Sequence, residues 1–151
     1  MKLFTSVMMP VLLFVWELPQ IVLGLLVYAC MKARRKVVHV ETGKNRVFIH
    51  TLNTGVSLGW FIFWTPAGNR FPELENDCRM HEYGHARQSV MLGPLYLLVV
   101  GIPSVMRVFY GKWYYCKYHR YWQGYFWGFP ENWADKLGGV TKSRNISPPD
   151  S

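Results

Sequence analysis

The chain has 151 residues, enough for one domain with a modest core. Half of the residues are hydrophobic and 17% aromatic, yet the mean hydropathy is only +0.02, which excludes a bundle of bare membrane helices and suggests one or two membrane segments joined to a polar, aromatic-rich remainder. Seventeen Lys and Arg against nine Asp and Glu give a net charge of +8; with no nucleic-acid-binding motif in sight, no nucleic-acid partner is expected, and the excess reads as the positive-inside charge of a membrane protein.

In chain order, Leu3 to Met31 is apolar apart from Glu17, Gln20 and a few small polar residues, longer than the roughly 20 residues a spanning helix needs. Lys2 alone precedes it and KARRK, Lys32 to Lys36, follows, so the expected orientation has residue 32 onward in the cytoplasm. Pro10 and Pro19 predict a kink. Glu17, in WELPQ, is a candidate intramembrane polar site, or else a residue at a polar bend.

VVHVET, GKN and RVFIHT then read as strand, turn and strand, and VSLGWFIFW, after a turn at Asn53 to Gly55, as a third strand. A small antiparallel sheet is expected. Pro66 to Asp77 reads as a loop, Cys78 to Leu92 as a helix stopped by Gly93-Pro94, and Leu95 to Val108 as an apolar segment broken by Gly101 and Pro103. Tyr110 to Phe129 is dense in Trp and Tyr with interspersed Lys, a headgroup-region composition. A last short helix starts near Pro130 and ends at Gly138-Gly139, and ISPPDS is a tail. Cys30, Cys78 and Cys116 lack any CxxC pairing and predict neither a disulfide framework nor a thiolate zinc site.

The chemistry lies in HEYGH, residues 81 to 85. On a helix, positions i and i+4 share a face, so His81 and His85 can reach one zinc ion, with Glu82 beside them as a base for water. Gly84 leaves room for close packing. A catalytic zinc site usually has three protein ligands. Glu131 and Asp135, in PENWADKLGG, are again i and i+4 on one helix: one of them can bind the metal while the other accepts the spare N–H of a ligating histidine.

HExxH followed by a helix bearing ExxAD resembles the pattern of gluzincin metallopeptidases, and ENWADKLG looks especially like integral-membrane gluzincins of the CAAX-prenyl-protease and membrane quality-control type. The resemblance covers the two helices alone, in a chain shorter than those relatives. It implies that His81, His85 and Glu131 are zinc ligands, Glu82 the general base and Asp135 the partner that orients a ligating ring. It also implies an extended peptide or membrane-protein substrate added along a sheet edge. His119 and Tyr114 are candidate oxyanion donors, among other residues of the aromatic segment.

A shared zinc also constrains topology, because Glu131 must lie on the same side as the histidines. Residues 94–108 are therefore expected to be half-inserted in the membrane or interfacial, dipping in and returning. The expected architecture is an α+β membrane protein: a spanning helix within residues 1–31, then a zinc metallopeptidase domain over 32–151. Its active site would face the cytoplasm, on a bacterial cytoplasmic membrane, with the lipid bilayer as a partner. The expected activity is zinc-dependent peptide-bond hydrolysis. The alternative is a zinc-binding sensor or chaperone-like subunit that does not cleave peptides.

Overall fold

The computed structural model describes residues 11–65 and 75–140. The start of the apolar N-terminal run, most of the expected loop from 66 to 77 and the ISPPDS tail lie outside the described residues. The elements in chain order are α1 (Leu18–Ala33), β1 (Val37–Gly43), β2 (Arg46–Thr51), β3 (Val56–Leu58), β4 (Phe61–Trp64), α2 (Glu75–Leu92), α3 (Ile102–Tyr118) and α4 (Glu131–Gly138). Glu75 to Asp77, expected as loop, already belong to α2.

The four strands form one sheet in the order β1-β2-β4-β3. It is mixed, not antiparallel as expected: β2 pairs with β4 in parallel, while β1–β2 and β3–β4 are antiparallel. VSLGWFIFW is two strands, because Gly59, at φ +58°, closes a two-residue turn between Leu58 and Phe61. The chain from β2 passes to the far edge before β4 inserts beside β2, which makes that pair parallel.

Strand alternation assigns the two sheet faces. Phe48, Ile62 and Trp64 pack with Ala86 and Tyr83 of α2, while Ile49, Leu58 and Phe63 pack with Val27, Tyr28 and Met31 of α1. The parallel register sets Phe48 beside Ile62 and Ile49 beside Phe63, so each pair points to one side. The molecule is thus layered α1, sheet, α2, with α4 against α2.

The expected spanning helix is corrected by this packing. Residues 11–16 are helical, Glu17 is a turn, and α1 has 16 residues, which at 1.5 Å per residue reach about 24 Å, short of a bilayer core. Among the described residues no helix is long and apolar enough to cross a membrane. α1 turns Gln20, Ile21 and Gly24 inward, and a Cβ at Gly24 would stand 2.7 Å from the Phe61 ring. The integral-membrane placement and the cytoplasmic orientation inferred from it therefore lose their basis.

The half-inserted or interfacial segment is corrected too. From Gly93 the chain stays helical, through a 3-10 turn, a π-helical stretch (Leu97–Gly101) and α3. Pro103 stands where the π-helical stretch gives way to α3. Residues after α3 make the return. His119, at φ 53°, ends the helix, and Arg107 then holds the following segment by donating to the carbonyls of Tyr125 (2.9 Å) and Gly124. Its guanidinium also stacks on Trp122, 4.9 Å from the ring centre. That path delivers Glu131 to the histidines without any dip and return.

Candidate metal centre

α2 and α4 meet along small residues. A Cβ at Gly84 would fall 1.9 Å from the Ala134 carbonyl oxygen, and one at Gly138 2.1 Å from that of Met80. The backbones can touch only because both positions lack side chains. This contact brings the first turn of α4 over the HExxH face. Gly139, at φ 71°, ends α4 as the Gly-Gly pair predicts.

His81, His85 and Glu131 are all buried, and one potential ligand atom from each lies within 4.8 Å of the others. His81 Nε2 is 3.0 Å from Glu131 Oε2, and His85 Nε2 is 3.2 Å from the same oxygen. Ligands at about 2 Å from one ion stand about 3.3 Å apart in a tetrahedron. The group can therefore hold a metal ion.

The partners of the remaining atoms support this. His81 Nδ1 lies 2.7 Å from Asp135 Oδ1, and His85 Nδ1 lies 2.7 Å from Gln88 Oε1. The Gln88 amide is oriented by donating from Nε2 to the Pro130 carbonyl at 3.0 Å. Both Nδ1 atoms are then N–H donors, and a neutral ring directs its Nε2 lone pair at the carboxylate. Two lone pairs facing one carboxylate oxygen repel unless a cation lies among them. The other carboxylate oxygen, Glu131 Oε1, accepts from Ser104 at 2.6 Å, leaving Oε2 for the shared point. Burial opposes ionisation of Glu131, but the close approach of His81 and His85 and the Ser104 hydroxyl outweigh it and hold the carboxyl well below the usual carboxylate range.

Glu82 is not in this ligand group. It lines, with His81 and His85, a cleft of about 780 Å³. Ser57 donates to its backbone carbonyl (2.5 Å) and stands 3.3 Å from Oε2, and a Cβ at Gly55 would lie 2.6 Å from Oε1. Desolvation by its surroundings pushes the Glu82 carboxyl up, against the pull of His85 and His81.

The other expected site residues lie elsewhere. His119 is exposed at the end of α3, and Tyr114 stacks between Tyr110 and Tyr118; neither lines the cleft. Tyr96 and Tyr125 do line it. Tyr96 donates to the Ser57 carbonyl at 2.9 Å, and the Tyr125 hydroxyl is beside Ser104. Glu17 is wholly buried and bound to Arg46 (2.9 Å) and Ser89 (2.6 Å).

Sequence reasoning missed Gln88, Ser104, Ser57, Tyr96 and Tyr125. Gln88 had a signal, since it follows His81 by seven and His85 by three and so shares their helix face. The others meet the site only across elements. No family model matches the chain, and neither a curated protein nor a solved structure matches it. The geometry therefore carries the functional reading without outside support.

Proposed function

We propose that this chain is a zinc-dependent peptidase of the gluzincin type. The observation that carries this is the convergence of His81 Nε2, His85 Nε2 and Glu131 Oε2, with Glu82 left unliganded on the same cleft wall. Two imidazoles and one carboxylate form a donor set that suits zinc.

A zinc ion bound there supplies Lewis acidity toward a carbonyl oxygen and acidifies water. Glu82, less acidic than an ordinary carboxyl, takes the proton from water and delivers it to the leaving amine. Asp135 and Gln88 hold the two rings in the Nδ1–H tautomer. Two tyrosines line the cleft, Tyr96 bound to the Ser57 carbonyl and Tyr125 beside Ser104, and Tyr125 is the donor assigned to the developing oxyanion. Burial, then Glu131 and Glu82, push the Tyr125 phenol up, so it keeps its proton.

The cleft walls are apolar: Leu23 and Val27 from α1 face Ile102, Val105 and Phe109 from α3. Peptides with apolar residues flanking the scissile bond fit them. β3 is the sheet edge beside Glu82, and its Ser57 carbonyl already accepts from Tyr96.

The test is cleavage of an apolar-residue peptide library by purified protein, with metal content measured alongside. Stoichiometric zinc and cleavage abolished by a chelator and restored by zinc are expected. Zinc without cleavage of any peptide would favour the non-proteolytic sensor, and absence of bound metal would overturn both readings.

A further inference from the structure

A second cleft, of about 620 Å³, lies on the opposite side of α2. Tyr83, Arg87, Val90 and Met91 line it. At about 100° per residue they point away from the face that carries His81, His85 and Gln88. We propose that this cleft binds an anionic amphiphile: its phosphate or carboxylate held by Lys44, Arg46 and Arg87, its apolar body against Trp60, Val90 and Met91.

Charge and burial carry the proposal. Among the described residues, three cations line the cleft with a single carboxylate, Glu17. That carboxylate is already committed, with Oε2 to Arg46 at 2.9 Å and Oε1 to Ser89 at 2.6 Å, so the lining keeps an excess of two positive charges. The Arg46 side chain is only 10% exposed. A guanidinium has five N–H donors, and the bond recorded for it among the described residues uses Nη1 alone. A buried cation with spare donors costs free energy unless an acceptor reaches it, and a planar fork suits phosphate or carboxylate.

The neighbouring cations are placed to help. Lys44 and Asn45, both at positive φ, form the β1–β2 turn and set the lysine at the rim. Its Nζ lies 4.6 Å from the Tyr83 ring centre and 3.6 Å from Met80 Sδ, both weak acceptors that an anion would displace. Arg87 donates from Nη1 to the Leu137 carbonyl at 2.8 Å, with the rest of its fork available. The volume exceeds what a bare phosphate needs and lies in the range of small-molecule pockets. The apolar walls account for the remainder.

The experiment is calorimetric titration of the full chain with monomeric octyl phosphate, inorganic phosphate and octanol, at two salt concentrations. Saturable 1:1 binding of octyl phosphate is expected, weakened by salt, and at least about tenfold tighter than either half-ligand. The Lys44→Gln, Arg87→Gln double variant should lose about tenfold or more. Glu82→Gln, on the other face of α2, should bind as the parent does. Displacement by vesicles containing phosphatidic acid would assign the amphiphile to a membrane lipid, and no displacement to a free metabolite; both support the site. Equal binding of octanol, insensitivity to the double variant, or no saturable binding would overturn it.

Discussion

Each histidine of the candidate metal group uses both ring nitrogens, so the two nitrogens can be tested separately. Asp135→Ala removes the acceptor at His81 Nδ1 and leaves Nε2 in place. Zinc affinity should fall about 10- to 100-fold, read by competition with a chromophoric chelator. Glu131→Ala removes the shared oxygen itself and should cost more than that in the same assay. If Glu131→Ala binds zinc like the parent, the carboxylate is not a ligand. Glu82→Gln should keep stoichiometric zinc and lose about 100-fold or more in kcat, because only the proton acceptor is gone. Tyr125→Phe should lower kcat about 10- to 100-fold with zinc content and KM nearly unchanged; an unaltered kcat would remove the tyrosine from the chemistry. The sequence exposed His81 with His85, and Glu131 with Asp135, because each pair shares a helix face at a four-residue spacing, and Glu82 because it stands next to His81 in HExxH. Ser104 and Tyr125 were invisible, since nothing local to α3 or the following turn marks a side chain that meets Glu131.

Between elements, the controlling contact is α2 on α4. Gly84→Ala would place a methyl group into the Ala134 carbonyl, where backbone rather than a flexible side chain must move. Overpacking of this kind costs about 1–3 kcal/mol or more, measurable by denaturant unfolding. It should also weaken zinc binding, because α4 carries Glu131 and Asp135. A variant with parental stability and parental zinc affinity would show that the helices can separate without consequence. The strands were readable from their alternation and from the GKN turn. Their order was not, because a strand of three or four residues contains no record of which neighbour it pairs with. The parallel β2–β4 pair arises only when β4 inserts between β2 and β3.

For the molecule as a whole, the network around Glu17 joins three parts of the chain. Its carboxylate binds Arg46 of β2 and Ser89 of α2, while Gln20 of α1 donates to the Gly93 carbonyl at 2.5 Å. Glu17→Ala would leave Arg46 unpaired, largely out of solvent, and should destabilise by about 3–5 kcal/mol in denaturant unfolding. A change within a few tenths of a kcal/mol would mean the pair is exchangeable with water. Many large apolar side chains remain exposed, among them Leu25, Leu26, Met106 and Phe109 at 55–66%. Such surfaces mark interaction sites, and apolarity alone suggested membrane spans. The N-terminal run was misread because its interruption at Glu17 to Pro19 was taken as a kink within one span, and because the inward side of α1 is made by Gln20, Ile21 and Gly24 against the sheet.

Composition and spacing alone thus named the side chains able to bind metal and the helices that carry them, since i, i+4 geometry is a local property of the backbone. Folding decided that these helices meet at Gly84 and Gly138, that one oxygen of Glu131 faces both rings, and that the apolar segments lie against or beside a mixed sheet. Those outcomes depend on packing between residues far apart in the chain, where local periodicity has no information.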